Sequence, residues 1–212
     1  MVDWVVIVPI KRFTEAKQRL EGVGNRAAVA EALTRDTLEA VASSSRVRMV
    51  LVMTDDPLLV DDLRLPVAAV VRTQRSPGLN GAISDGLAYA GESWPDFGVA
   101  VLQGDLPALT AEDLDAVLES AEEVPLGLVP DADGRGTAMI TGKPGMPLLP
   151  AFGEGSAQRH QELGHKPIRA SERLRRDVDT RADLSAAVRL GVGRHTAEVL
   201  GLAVRVAPDS AA

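Results

Sequence analysis

The stretch Val99-Ala100-Val101-Leu102-Gln103-Gly104-Asp105-Leu106-Pro107 decides how this chain is read. Its first four residues form a short continuous apolar run, β-branched at alternate places, of the kind that fills a buried strand. The run halts at Gln103-Gly104, and a carboxylate, Asp105, follows before Leu106-Pro107. Ligands of open α/β sheets bind outside the carboxyl ends of the strands, so Asp105 stands where a carboxylate can reach a ligand-bound Mg²⁺. Gly104 would let a backbone or a nucleotide approach closely. Taken alone, the same residues read equally well as an Asp turn before a helix.

Working outward from this strand, the chain alternates. Val5 to Val8, ending at Pro9, predicts a first buried strand, and a helix follows from about Asn25 with Ala28, Val29, Ala32, Leu33, Leu38 and Val41 on one face. Met49 to Met53 and Val67 to Val71 predict the second and third strands, with a short helix over Leu58 to Leu63 between them. A helix carrying Ile83, Leu87 and Ala90 precedes the Val99 strand, and Thr110 to Asp113 resembles a capping box opening a helix to about Ser120. Strand, helix, strand, helix implies right-handed crossovers and a three-layer αβα fold with a mostly parallel sheet. The second half is less regular: strands are expected at Leu126 to Val129 and Ala138 to Thr141, and helices near Ser156 and Ala182. One domain over residues 1–206 and a frayed tail over 207–212 are expected.

Composition narrows the function. A chain of 212 residues with 45% hydrophobic content can bury a sizeable core, but only 3% is aromatic, so the core must be aliphatic and there is no stacking platform for nucleic acid. A net charge of -7 disfavours nucleic acid and anionic membranes as partners. Without Cys there is no thiolate nucleophile and no Cys-ligated zinc. Met1 to Pro9 is too short for a signal segment, and no apolar run approaches the roughly 20 residues of a membrane span, so a cytoplasmic protein is the expectation.

Against this acidic background Lys11 to Arg19 carries four positive charges and one negative, a polyphosphate cradle or, on charge alone, a solvated basic face. In Asp177-Val178-Asp179-Thr180 the carboxylates at i and i+2 share a face if the segment is extended, and could complete a metal site with Asp105. The same residues could simply cap the helix through Leu184, with Asp179 or Thr180 as N-cap. Phe152-Gly153-Glu154-Gly155-Ser156 is a Gly-rich turn before a helix, suited to a phosphate or carboxylate, or an ordinary loop. His160, His165 and His195 lack zinc-motif spacing and read as surface residues or as residues behind the site's contact layer.

Together these pieces resemble the CofC/FbiD guanylyltransferases of coenzyme F420 biosynthesis. The resemblance rests on Val8-Pro9-Ile10-Lys11 with Ala16 to Leu20, Gly78-Leu79-Asn80, Gly104-Asp105-Leu106-Pro107, the Phe152 to Ser156 turn with His160, and Asp177 to Thr180 with Asp183-Leu184. It implies a nucleotide-diphospho-sugar-transferase-like (GT-A, Rossmann-like) fold and transfer of GMP from GTP to phosphoenolpyruvate or 2-phospho-L-lactate, with Mg²⁺. By resemblance, Lys11, Lys17 and Arg19 handle the GTP phosphates, and Gly78, Leu79 and Asn80 line the nucleoside pocket. Asp105 ligates the metal with Asp177 or Asp179, Lys17 and Asp105 are the catalytic pair, and Thr137, Gly153 and Ser156 hold the acceptor. Ala138 follows Gly136-Thr137 where archaeal members carry Asn, and the Ala- and Arg-rich composition resembles that of a high-GC bacterium, which favours phosphoenolpyruvate. The sequence allows a homodimer.

Overall fold

The computed structural model describes residues 1–15, 17, 20, 24–56, 59, 65 and 67–202. Seven strands form one sheet: β1 (Trp4–Ile10), β2 (Val47–Thr54), β3 (Ala68–Arg72), β4 (Gly98–Leu102), β5 (Leu126–Pro130), β6 (Thr137–Gly142) and β7 (Lys166–Pro167). The helices are α1 (Arg26–Ser43), α2 (Gly78–Ser93), α3 (Ala111–Ala121), α4 (Ser156–Glu162), α5 (Glu172–Arg175), α6 (Arg181–Leu190) and α7 (Arg194–Val199). The strand order is β3-β2-β1-β4-β6-β5-β7, and β6 alone among them runs antiparallel to its neighbours.

The period-two alternation of β1 sorts the layers. Trp4, Val6, Val8 and Ile10 pack with residues of α1 and α3, including Leu38, Val41, Leu114 and Val117. Val5 and Ile7 face the other way, against Ala82, Ile83 and Ala90 of α2. Both faces of the central strand are therefore buried, and its seven residues are all inaccessible or nearly so. Each such aliphatic side chain contributes about 1.5–3 kcal/mol by leaving water, which explains why this strand has no polar face.

The expected strands and helices are present, and two differences are physical. β1 continues through Pro9 instead of stopping there; its pairing with β4 ends at Ile7, so the missing N–H of Pro9 costs no bond to that strand. Short elements add to the second half: β7 has two residues, α5 four and α7 six, too few for a hydrophobic period to show. The helix expected over Leu58 to Leu63 and the tail at 207–212 lie outside the described residues, Leu59 excepted.

The expected capping box at Thr110 is present, and Thr180, one of the two N-cap candidates, forms a second. Thr110 accepts from the Asp113 N–H while the Asp113 carboxylate accepts from the Thr110 N–H, and Thr180 and Asp183 do the same for α6. Among the described residues, no helix is long and apolar enough to cross a membrane.

Candidate active site

The chain runs from β1 outward through β2 to β3, then crosses back to β4 on the other side of β1. A cleft of about 530 Å³ opens at this switch point, lined among others by Pro9, Lys11, Lys17, Leu79, Gln103, Gly104, Asp105, Asp177 and Asp179. A Cβ on Gly104 would stand 3.2 Å from Val8 and Ile10 side-chain atoms. The glycine thus lets the loop after β4 lie against β1 and brings Asp105 to the cleft.

Asp177 and Asp179 arrive from far along the chain. Val178, between them, is fully buried in a cluster with Leu20, Val29, Leu33, Leu184 and Ala187, where α1 meets α6. Its N–H donates to the Asp105 carbonyl at 3.2 Å. With the middle residue anchored, the flanking carboxylates are carried to the loop after β4. Thr180 also caps α6, so the cap and the carboxylate pair are one device with two uses.

The electrostatics of this end are unbalanced. Lys17 Nζ donates to Asp105 Oδ2 and, at 3.0 Å, to Asp179 Oδ1. Burial opposes the Lys17 charge, but the attraction of Asp105 and then Asp179 outweighs it and its pKa is raised. Lys17 also has a left-handed backbone, φ 56°, the one such non-glycine among the described residues, a conformation costing about 1–2 kcal/mol. Asp105 Oδ1 is buried with no hydrogen-bond partner. Burial and then the charges of Asp105, Asp179 and Asp131 push Asp177 up to about 7. One ammonium pairs with two carboxylates while a third, Asp177, lies among their charges; carboxylate oxygens are the hard ligands that Mg²⁺ takes.

A second region adjoins the first. Because β6 is antiparallel, it begins where β4 ends: Gln103 N–H donates to the Ala138 carbonyl at 3.0 Å. Thr137, first residue of β6, is therefore brought to the same end of the sheet as Asp105. The β5–β6 turn that delivers it is closed by Asp131, whose carboxylate accepts from the N–H groups of Arg135 and Gly136. Beside Thr137 lies the 151–156 loop, in which Gly153 (φ 123°) and Gly155 (φ 71°) take conformations that a side chain would strain. Ser156 Oγ is buried without a partner.

Three side chains hold this loop. Asn80 donates to the Phe152 carbonyl at 3.1 Å and accepts from the Phe152 N–H at 2.9 Å. Arg159 donates to the carbonyls of Ala151 and Glu154. His160 Nε2 accepts from the Ala151 N–H at 3.1 Å. His160 and His165 are buried, contrary to a surface reading, because α4 and the strand preceding α5 fold them between Phe152 and β5. Burial, then the charges of His165 and Arg159, push His160 down to about 4.

Of the residues singled out in the sequence, Lys11, Lys17, Leu79, Asp105, Asp177 and Asp179 share the cleft. Thr137, Gly153 and Ser156 belong to the adjoining region, Gly78 opens α2, and both polar atoms of the Asn80 amide are spent on Phe152. Arg19 lies outside the described residues. Gln103, which donates from Nε2 to the Thr137 carbonyl at 3.4 Å, was not singled out for a role, and His160 was quoted with the Phe152 to Ser156 motif without a contact being assigned to it.

Among the described residues, Asp36, Glu39 and His195 bring three ligand atoms within 4.8 Å of one another. They are engaged in holding α7: Asp36 accepts from the N–H groups of His195 and Thr196, and Glu39 pairs with Arg194 and His195. This group is a clasp between α1 and the C-terminal helix.

A mostly parallel sheet with acidic residues at its switch point is an arrangement that nucleotidyltransferases use. A putative nucleotide-diphospho-sugar transferase from Desulfovibrio desulfuricans G20 has this fold, with a TM-score of 0.68 at 17% identity over 89% of this chain and 87% of that one. Residues 4–212 match the guanylyl transferase CofC-like family, and the chain belongs to that family. It is 42% identical to the phosphoenolpyruvate guanylyltransferase of Streptomyces avermitilis, over 92% of this chain and 93% of that protein. It is 41% identical to the enzyme of the same name from Salinispora arenicola, over 98% of each. The family resemblance carried by the sequence motifs is thereby borne out.

Proposed function

We propose that this chain transfers GMP from GTP to phosphoenolpyruvate, giving enolpyruvyl-diphospho-5'-guanosine and diphosphate. The observation that carries the reading is the acidic cluster of Asp105, Asp177 and Asp179, under-compensated by Lys17, with Thr137 delivered to the same end of the sheet and Ser156 Oγ left without a partner. The relatives named for phosphoenolpyruvate support that acceptor over 2-phospho-L-lactate.

The acceptor phosphate is ionised near neutral pH, so no side chain has to generate a nucleophile. An oxygen of that phosphate attacks the α-phosphorus of GTP, the bond from the α-phosphorus to the bridging oxygen breaks, and diphosphate leaves without a covalent enzyme intermediate. The work left to the protein is overcoming anion repulsion and alignment. The buried, unpartnered Asp105 Oδ1 and the three-carboxylate donor set fit a hard divalent cation, so Asp105 with Asp177 or Asp179 would hold Mg²⁺. When bound, Mg²⁺ supplies charge neutralisation at the phosphate oxygens. Lys17 stays charged and would move from its carboxylates to the triphosphate, with Lys11 at the mouth of the cleft. Thr137, Gly153 and Ser156 would orient the acceptor. All these groups come from one chain, so the reaction as written does not need a homodimer.

The test is diphosphate release by the purified protein with GTP and Mg²⁺, comparing phosphoenolpyruvate, 2-phospho-L-lactate and no acceptor. Release dependent on phosphoenolpyruvate is expected. Release with phospholactate alone would reassign the acceptor; binding of GTP without release from either would remove the transferase reading.

A further inference from the structure

We infer that His160 is a positioning residue that fixes the hydroxyl of Thr137 as a hydrogen-bond donor to the acceptor's anionic oxygens. The inference rests on the reading of Thr137 as an acceptor-binding residue and adds a residue through which Thr137 is aimed. It follows from a count of hydrogens. A backbone N–H can only donate, and the Ala151 N–H points at His160 Nε2 from 3.1 Å, so Nε2 carries no hydrogen. A neutral imidazole then has its hydrogen on Nδ1. Nδ1 lies 2.9 Å from Thr137 Oγ1, and Nδ1–H donates to it. With one lone pair of Oγ1 so occupied, the hydroxyl hydrogen must point away from the imidazole.

The surroundings hold this arrangement. His160 is fully buried, its ring edge-on to Phe152 at 5.0 Å and to His165 at 5.4 Å between centroids. His165 Nδ1 is 2.9 Å from the Gly127 carbonyl, which can only accept, so His165 carries its hydrogen on Nδ1 as well. Thr137 is itself buried, which removes bulk water as a competing partner for its hydroxyl. A threonine free to rotate could turn its hydrogen toward the imidazole and leave only lone pairs facing an anion; with Nδ1–H donating to Oγ1 that rotamer is excluded.

The two ring nitrogens can be tested apart. His160→Asn places an amide near the Nδ1 position, able to donate to Thr137 but too short for Ala151. His160→Gln places a carbonyl near the Nε2 position, able to accept from Ala151 while leaving Thr137 without its donor. Steady-state kinetics with GTP and phosphoenolpyruvate should show the acceptor KM within about twofold of wild type for H160N. For H160Q it should rise roughly tenfold, with the GTP KM changed less than twofold. The opposite ranking, or H160Q equal to wild type, would overturn the inference and leave His160 as a strap on Ala151. In a Thr137→Val background, which keeps the side chain's shape, H160Q should add nothing further; an added tenfold loss would mean that His160 acts by another route.

Imidazole ¹⁵N shifts of the unmodified protein, which need no variant to fold, should show Nδ1 protonated and Nε2 bare, and an Nε2–H signature would refute the arrangement outright. A wild-type protein with no phosphoenolpyruvate turnover would instead sink the acceptor reading, and this inference with it, whatever the tautomer.

Discussion

The two ends of the site solve different problems. At the β1–β4 end, two carboxylates share one ammonium beside a third, a carboxylate oxygen is buried without a partner, and Asp177 is pushed up to about 7. At the β6–α4 end most groups are satisfied by fixed partners: Asn80 on Phe152, His160 between Ala151 and Thr137, Arg159 on two loop carbonyls. The first region is electrostatically incomplete and, in the proposed reaction, would neutralise charge; the second is pre-ordered and would orient the acceptor. Two anions that must react need both, since neutralisation alone does not align an in-line attack and alignment alone does not lower their repulsion.

The largest break in this comparison should come from Asp105→Asn. Removing one ligand charge is expected to lower kcat/KM by roughly a hundredfold or more at saturating Mg²⁺. The unfolding midpoint of the metal-free protein should change little, because relief of the charge that disfavours ionised Asp177 is offset by loss of the Lys17 ion pair. Near-wild-type turnover would take Asp105 out of the metal site. At the other end, Ser156→Ala removes a hydroxyl that has no partner in the free protein, so stability should change little. The acceptor KM should rise about tenfold, the worth of one hydrogen bond to a charged group, while the GTP KM stays put; equal rises in both would contradict the division.

Asn80→Ala sharpens the boundary. Although Asn80 sits in the segment read as the nucleoside wall, its amide grips the acceptor loop, and acceptor KM should rise about three- to fivefold with a smaller effect on GTP. A dominant effect on GTP would return Asn80 to the nucleoside. The smallest expected effect is in stability against pH. The folded pKa of His160 is about 4, below the ordinary 6.5, so the unfolded chain takes up the proton first. The neutral ring's contribution is therefore present above about 6.5 and is lost as pH falls toward 4. Thermal unfolding of wild type and H160N should converge over that interval; parallel curves would mean that the ring does not resist protonation.

How much of this is written locally in the chain differs between the same two regions. The β1 and β4 runs and the capping boxes of α3 and α6 are short-range patterns, and they place Asp105 at a strand end without any knowledge of packing. Asp177 and Asp179 could be recognised as a pair, but their meeting with Asp105 depends on Val178 burying itself against α1 and α6, a contact between distant segments. The β6–α4 end was the least legible. The Asn80–Phe152 bonds span 72 residues and the His160–Thr137 bond 23, and an isolated Asn or His has no spacing that announces its partner. The reversed direction of β6, which brings Thr137 beside Gln103, is likewise a property of the assembled sheet.

The contrast between the ends is tested most directly by titrating Mn²⁺, followed by electron paramagnetic resonance, into wild type, Asp105→Asn and Ser156→Ala without nucleotide. Saturable binding in wild type and Ser156→Ala, lost in Asp105→Asn, is the expected result and would locate the cation at the carboxylate end. Equal binding by wild type and Asp105→Asn would contradict the account.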